Sequence, residues 1–229
     1  MHFITPRRVI YALPTEARDQ TLNWAGFQEG DGAYTKTEST YTEPSIASTP
    51  CSGDAAVLWA GLDTPSPFLL AQAGTGIHSA GLGNHQGWSE VAPTQPGYVP
   101  QDIYATVGHE FTVEVVDLGG QSWSFLMVND YTHAQLDFSV HYSSPGYTAR
   151  AVQIVERPSQ GSPQLPPLTN FTQATFDSSY AAVGSGGLEK IGTFSRFETD
   201  IITNNGTLLA STGNLSNSDK FTVTYKACQ

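Results

Sequence analysis

Apolar residues at helical spacing are nearly absent from this sequence: almost no window repeats them at i, i+3, i+4 and i+7. That lack argues against helical and α/β folds, in which such windows recur. Short runs rich in Val, Ile, Thr, Tyr and Phe are present instead, separated by Gly, Pro, Asn, Asp and Ser. Many short strands without intervening helices predict an all-β fold of antiparallel sheets, a sandwich or a barrel.

The predicted strands are "AYTKTESTYTEP", "AAVLWAGLD", "FLLAQAG", "DIYATVGHEFTVEVVD", "QSWSFLMVND", "AQLDFSVHY", "AVQIVE", "TFDSSYAAV" and "DKFTVTYKA". Turn signals lie at residues 119–120 (Gly-Gly), 129–130 (Asn-Asp) and 204–207 (Asn-Asn-Gly-Thr). The Pro-rich segment 157–168 is interpreted as a surface loop, because strands of the same kind resume after it. We expect an N-terminal segment, residues 1–22, and a single β-sandwich domain, residues 23–229.

Basic residues are scarce: 10 Lys and Arg stand against 21 Asp and Glu, a formal net charge of −11. Nucleic acids and anionic membranes are recognised by basic surfaces, so neither is expected as a partner. No stretch approaches the ~20 apolar residues of a membrane-spanning helix. The acidic balance suits a protein that works in acid, and plain solubility explains it equally well.

Cysteine and the common catalytic motifs are also scarce. Cys51 and Cys228 lie far apart without metal-ligand spacing, so they form either one disulfide of an exported protein or two separate thiols. The H-E-x-x-H and G-x-S-x-G motifs are absent, and so is the phosphate-binding glycine loop. The closest histidine pair, His78 and His85, lacks a third ligand and is expected at the surface. No metal or cofactor is therefore predicted.

The beginning of the chain carries no recognisable secretion signal, because its apolar run at residues 9–13 is too short for one. Either the protein stays inside the cell, or the sequence is a processed form with an added methionine. Three N-x-[ST] sequons, at Asn170, Asn205 and Asn214, matter only if a glycosylating cell exports the chain.

Two predicted strands end an apolar row with a polar side chain. Alternate residues of a strand share a face, so Glu156 follows Val152 and Ile154, and Gln72 follows Leu70. A buried amide without a hydrogen bond costs roughly 1–3 kcal/mol, and an ionised carboxylate costs more. Such rows suit a concave sheet face that is open to a ligand. Polar residues that simply reach solvent at strand ends explain the same pattern without any function.

The sequence resembles the glutamic peptidases, or eqolisins, from about Asn23 to its end. Six motifs occur in the order of that family: "NWAG" (23–26), "STYTEP" (39–44), "LWAGLD" (58–63), "LLAQAGTG" (69–76), "WSEVAP" (88–93) and "AVQIVE" (151–156). The tail from "LTNFTQATF" to "DKFTVTYKA" is similar to the family's last strands. Each motif is weak alone, but six in consistent order are specific.

The resemblance implies a concanavalin A-like sandwich of two bent antiparallel sheets, with the site on its concave face. It also implies that Gln72 and Glu156 are the catalytic pair of an endopeptidase that needs no metal. Ionised Glu156 would be the general base that activates water, and Gln72 would donate to the oxyanion at any pH. If the Glu156 pKa is near the unperturbed value of ~4.3, an acidic optimum follows.

Supporting roles also follow from the resemblance. Trp24 and Trp88 match cleft-lining tryptophans, and Glu90 matches a glutamate that binds or orients substrate. Asp63 matches an aspartate that supports the active-site loops. Tyr41 stands where the family has a tryptophan and is grouped with the substrate-binding residues.

Besides Tyr41, the sequence departs from the family pattern at three more positions. Gly76 replaces an aspartate, and Val91 and Ala92 replace aromatic residues of the substrate cleft. These changes keep the catalytic pair and leave subsite specificity open. With two cysteines, the disulfides of some fungal members cannot all be present.

Three other interpretations stay open. A carbohydrate-binding sandwich would use Gln72 and Glu156 only as ligand contacts. A glycoside hydrolase would use Glu90 and Glu156 as its carboxylate pair. A catalytically silent relative is the third. The peptidase is favoured because the ordered motifs include both catalytic positions, and we expect polypeptide substrates, a monomer and secretion into an acidic environment.

Overall fold

The computed structural model describes residues 18–30, 32–47, 55–65, 68–78, 84–92, 99–141, 150–158 and 165–228. The strands are β1 (Arg18–Thr21), β2 (Trp24–Glu29), β3 (Tyr34–Thr42), β4 (Ala55–Pro65), β5 (Phe68–His78), β6 (Asn84–Ala92), β7 (Val99–Thr106), β8 (Glu110–Gly119), β9 (Ser122–Asn129), β10 (Ala134–His141), β11 (Arg150–Glu156), β12 (Gln173–Val183), β13 (Glu189–Lys190), β14 (Arg196–Ile202), β15 (Leu208–Thr212) and β16 (Phe221–Tyr225). One 3₁₀ turn, Ile191–Thr193, follows β13.

The strands form one continuous sheet in the order β10-β9-β8-β3-β12-β16-β15-β14-β2-β11-β4-β5-β6-β7, with β1 and β13 paired outside this path. Among the described pairs of strands, only β1 with β14 is parallel. The sheet bends over itself, so that β3 packs against β4 and β11. The all-β antiparallel sandwich predicted from the sequence is confirmed.

Two apolar clusters occupy the two faces of the strands β2, β11, β4, β5 and β6. The larger cluster fills the space between the layers and includes the stacked rings of Phe176 and Phe221, whose centroids lie 4.4 Å apart. The smaller cluster lies on the opposite face. We call the face that carries the larger cluster the core face, and the face that carries the smaller cluster the site face.

Strand alternation assigns each residue to a face. In β11, Gln153 and Val155 point into the core, where Gln153 Nε2 donates to Thr37 Oγ1 of β3 at 2.9 Å. Val152 and Ile154 belong to the site-face cluster. The predicted division of "AVQIVE" between two faces is therefore confirmed.

Some strand boundaries differ from the prediction. The run "DIYATVGHEFTVEVVD" contains two antiparallel-sheet strands, β7 and β8, separated by a turn at Gly108 with φ +81°. The segments that became β1, β2, β6, β13, β14 and β15 were not among the predicted strands. The Asn-Gly signal was right: Gly206, with φ +82°, closes the β14–β15 hairpin.

Cys228 is disulfide-bonded. Cys51, the other cysteine of the chain, lies outside the described residues. Within the described ranges, no helix has the length and apolar character needed to cross a membrane.

Candidate active site

The site face carries both of the polar row ends that the sequence singled out. Glu156 ends the β11 row, opposite Trp24 of β2 and Val57 of β4. Gln72 on β5 lies between Gly61 of β4 and Glu90 of β6. The pairing thus places Gln72 and Glu156 on one face, with β4 between their strands.

Two neighbouring side chains hold the Glu156 carboxylate. Trp59 Nε1 donates to Oε2 at 2.9 Å, and Asn23 Nδ2 donates to Oε1 at 3.3 Å. The Trp24 ring packs edge-on against Trp59, with centroids 5.2 Å apart. These contacts orient the carboxylate, while the side chain as a whole keeps partial exposure to solvent.

Burial raises the pKa of Glu156 to about 7. The Trp24, Trp59 and Asn23 side chains oppose that rise because they stabilise the charged form, although the Trp24 indole N–H lies outside hydrogen-bond geometry. The charge of Glu90 adds to the rise. A carboxyl group with this pKa exchanges its proton near neutral pH, as a general acid or base must.

Glu90 fixes the orientation of the second candidate residue. Gln72 Nε2 donates to Glu90 Oε2 at 2.6 Å, and Gln72 is only 4% exposed. The amide nitrogen carries two protons, so one N–H remains for a further acceptor. Gln72 Oε1 is buried and has no hydrogen-bond partner. Among the described side chains, no group of three or more His, Cys, Asp or Glu has a metal-binding arrangement.

The Trp59 ring links the two halves of the site. The register offsets Glu156 from Gln72, because their partners on β4 are Val57 and Gly61, four residues apart. A Cβ atom added at Gly61 would lie 3.0 Å from Trp59 Cζ3 and 3.1 Å from Gln72 Cβ. The indole therefore reaches from the Glu156 carboxylate across Gly61 to the side of Gln72, and only glycine leaves room for it.

Asp63 lies on the same face as Gln72, at the other end of the β11 row from Glu156. Its side chain is buried and accepts from Arg150, whose Nε donates to Oδ1 at 2.7 Å and whose Nη2 donates to Oδ2. Burial raises the pKa of Asp63, and the Arg150 guanidinium opposes the rise. Arg150 was not among the residues singled out from the sequence.

The structure does not bring Tyr41 to the site. Its side chain is fully buried on the core face, where the hydroxyl contacts Thr75 Oγ1 at 3.1 Å. Thr75 Oγ1 in turn donates to Glu43 Oε2 at 2.9 Å, and Glu43 Oε1 pairs with His85 Nδ1. This position offers no contact with a substrate on the site face.

The surface position expected for His85 is wrong. The side chain is 2% exposed, because β6 turns it toward the core and Glu43 supplies a buried partner. The side chain of His78 lies outside the described residues. We call Tyr41, Thr75, Glu43 and His85 the core-face network.

The remaining site-face residues differ in exposure. Trp88 is 3% exposed, whereas Trp24 and Glu90 are partly exposed. Sequence reasoning missed Asn23 and Trp59 as partners of Glu156. The sequence contained enough information to single them out, because both lie within motifs that carry the resemblance and strand alternation places Trp59 on the site face.

A family model for the peptidase A4 family matches residues 22–225. The chain belongs to this family. The match extends from the residue before Asn23 to the last residue of β16, so it includes every strand of the candidate site. The family assignment identifies the protein as a glutamic peptidase of the eqolisin type, a peptide-bond hydrolase.

Solved structures show the same fold. Scytalido-glutamic peptidase with a peptide-based transition state analogue matches with a TM-score of 0.74 at 19% identity, covering 90% of this chain and 98% of that chain. SCP-B, an eqolisin in complex with the tripeptide Ala-Ile-His, gives 0.69 at 18% identity, with coverage of 90% and 98%. Aspergilloglutamic peptidase from Aspergillus niger gives 0.62 at 23% identity, with coverage of 75% and 99%. No curated protein sequence matches the chain.

Proposed function

We propose that this peptidase is an endopeptidase whose catalytic pair is Gln72 and Glu156. The observation that carries the proposal is their joint position on the site face, with Glu90 hydrogen-bonded to Gln72 and close enough to influence the pKa of Glu156. Trp59 and Asn23 hold Glu156, and Glu90 holds Gln72.

The proposed reaction uses side chains alone. Ionised Glu156 takes a proton from a water molecule, which attacks the carbonyl carbon of the scissile peptide bond. The free N–H of Gln72 stabilises the resulting oxyanion, and as a neutral amide it donates at any pH. Glu156 then passes the proton to the leaving amine, so the carboxylate is restored when the C–N bond breaks.

The pKa of Glu156 refines the expected pH dependence. A general base with a pKa of about 7 gains activity as pH rises through that value, rather than through ~4.3. If Glu156 acts as a general base, its burial therefore moves the rising limb of the pH–activity profile toward neutral pH. An optimum in strong acid requires the protonated carboxyl group to act first, donating its proton to the substrate. The acidic optimum stays a prediction that the pH profile tests.

Polypeptide substrates fit the surroundings of the pair. The partly exposed Trp24 lies beside Glu156, and the buried Trp88 belongs to the site-face cluster. Peptide-derived ligands are present in the named scytalido-glutamic peptidase and SCP-B structures. We further propose a monomer that is exported, since an unrestrained peptidase is most useful outside the cytoplasm. Glycosylation at the three sequons depends on that export.

The test is cleavage of an unfolded protein across about pH 2–8, a range that spans the carboxyl pKa values. Wild type is run beside Glu156→Gln and Gln72→Ala, with an aspartic-peptidase inhibitor and a chelator in parallel. Glu110→Gln and Gln135→Ala, at exposed positions on β8 and β10, are the matched controls. We expect cleavage that resists both reagents, disappears in the two folded site variants and persists in the controls.

Activity unchanged in both site variants contradicts the assignment of the pair. A variant Glu90→Gln distinguishes the peptidase from a glycosidase, in which Glu90 is as essential as Glu156 and Gln72 matters less. No cleavage at any pH by the folded wild type favours a binding module, and glycan binding is then measured.

A further inference from the structure

A single cationic side chain stands on the site face among the described residues. Arg150 begins β11, and strand alternation places it on the face of Val152, Ile154 and Glu156. It lies opposite Asp63 of β4. Neither the catalytic chemistry nor the support of Gln72 and Glu156 uses it.

The anchoring of Arg150 leaves part of its guanidinium available. Two of its five N–H donors are directed at the buried Asp63 carboxylate, in the bidentate geometry that fixes a guanidinium plane. The other three have no acceptor within the described part of the chain. The side chain is 27% exposed, against 1% for Asp63. The guanidinium held by Asp63 therefore keeps part of its surface exposed to solvent.

The side chains that lie between Gln72 and Arg150 on the site face are apolar. Asp63 faces Leu70 across the β4–β5 pair, and Leu70 faces Ala92 across the β5–β6 pair. Leu70 and Val152 are buried in the site-face cluster, and Ala92 packs against it. Ala92 stands where the family has an aromatic residue, so less side chain covers this part of the face.

The spacing places Arg150 within reach of a bound peptide. Gln72 pairs with Gly61 of β4, and Arg150 pairs with Asp63, two residues further along β4. Gln72 and Arg150 are therefore separated by two residues along the strands and by two strand spacings across the sheet. These amount to about 12 Å, and an extended chain covers roughly 3.3 Å per residue. The side chain of Arg150 shortens that gap, so its partner lies about three residues from the scissile bond.

We propose that Arg150, positioned by Asp63, is a specificity-determining residue that binds a carboxylate of the substrate. A glutamate side chain fits best, because its methylene groups pack on the partly exposed Ala92 while its carboxylate meets the guanidinium. A free C-terminal carboxylate of a short peptide offers the same chemistry. The inference rests on the proposed peptidase function and adds the substrate class to it.

The experiment uses one fluorogenic peptide with a single cleavage site. Glu, Gln or Lys is placed in turn at each of the three positions on either side of the cleaved bond, and each C-terminus is made as acid and as amide. Cleavage is measured at about pH 6, where a substrate glutamate is ionised. The chain variants are Arg150→Gln, Arg150→Lys and a double variant Arg150→Gln with Asp63→Asn, which leaves no unpaired buried charge.

For wild type we expect a kcat/KM about tenfold higher for Glu than for Gln at one position, expressed mainly in KM. That ratio falls to about 1 in Arg150→Gln and in the double variant, and is intermediate in Arg150→Lys, which keeps the charge without the fork. Lys36→Gln, at a cation of the other layer, keeps the wild-type ratio. A preference tied to the acid C-terminus instead identifies the terminal carboxylate as the group bound.

Equal cleavage of the Glu and Gln peptides at every position and both termini overturns the inference, and so does a preference that survives in the folded double variant. Either result leaves the proposed peptidase function standing. Failure of folded wild type to cleave an unfolded protein at any pH contradicts the proposed function, and the specificity inference with it.

Discussion

The two faces of β5 and β6 bury polar side chains for different ends. On the core face, Thr75 and His85 meet Glu43, and each of these side chains has a partner within hydrogen-bond reach. On the site face, Gln72 keeps an unpartnered oxygen and lies against the partly exposed Glu90.

Burial of polar groups alone therefore does not mark the active face. The hydrogen bonds of the core-face network tie the two layers together, because Tyr41 of β3 reaches Thr75 of β5. Unused hydrogen-bonding capacity next to solvent access, as at Gln72 and Glu156, is what a substrate can engage.

The largest effect is expected when one glutamate on each face is replaced by glutamine and the two variants are compared. Glu156→Gln should lower kcat/KM by about 10²–10⁴-fold, the range for loss of a general base, with the fold retained. Glu43→Gln should lower the free energy of unfolding by about 1–3 kcal/mol, because the His85 and Thr75 contacts are weakened, while kcat per folded molecule stays within threefold. Urea unfolding and steady-state kinetics on both variants check this. A large kcat loss in stable Glu43→Gln would break the comparison.

A smaller effect is expected from the floor of the site. In Gly61→Ala the new methyl group would lie 2.8 Å from Ala71 O as well as close to Trp59 and Gln72. We expect kcat to fall by up to about 10²-fold, since a displacement of about 1 Å in a catalytic group costs that much. Gly187→Ala is the control, because nothing lies within 4 Å of its added Cβ. Equal kinetics of the two variants would show that the Trp59 position is irrelevant.

The indole N–H of Trp59 tests how Glu156 is tuned. Trp59→Phe keeps a ring and removes the donor that stabilises the charged carboxylate, so the pKa of Glu156 rises further. For a general base, the rising limb of kcat/KM moves to higher pH, with roughly tenfold lower activity per pKa unit on that limb. Trp123→Phe removes a core indole whose N–H has no partner. An unshifted limb in folded Trp59→Phe would contradict the account.

The smallest effect on catalysis is expected from a carboxyl group outside the site, which acts on stability instead. Glu29 is fully buried on the core face, both of its carboxyl oxygens lack hydrogen-bond partners, and burial raises its pKa to about 8. Gln153 and Arg196 oppose this rise. Above pH 4.5 the unfolded chain releases the proton that the folded chain retains. The contribution of protonated Glu29 to the free energy of unfolding is therefore fully present below about pH 4.5 and is lost as the pH rises to about 8.

We expect Glu29→Gln to flatten the decline in the free energy of unfolding over that interval. One retained proton corresponds to a slope of about 1.4 kcal/mol per pH unit. Denaturant unfolding at several pH values between 4 and 9 measures the slope, with the exposed Glu110→Gln as control. A slope identical to that of wild type would show that Glu29 is ionised in the folded protein.

Strand periodicity predicted which residues share a face, because alternation is a local geometric property of the backbone. It placed Glu156 with Val152 and Ile154 correctly. It did not show the partners of Glu156, since Trp59 is 97 positions away along the chain. Contacts of that kind depend on strand order and register, which no local pattern encodes.

The same limit explains His85 and Tyr41. A lone histidine between polar residues resembles a surface position, and only the fold brings Glu43 to it. Tyr41 was grouped with the site through the family motif, but β3 belongs to the other layer and turns its ring inward. The run "DIYATVGHEFTVEVVD" was predicted as one strand, although it contains two, because apolar alternation continues across the turn at Gly108.

The most direct test of the account is to titrate Glu156 itself and compare it with catalysis. The carboxyl carbon is followed by NMR in ¹³C-glutamate-labelled enzyme, with Glu156→Gln used to assign its signal, and kcat/KM is measured over the same pH range. The account predicts a transition near pH 7 in both, with activity rising as Glu156 loses its proton. Activity that falls as Glu156 ionises, or that follows another group, would contradict its role as the general base.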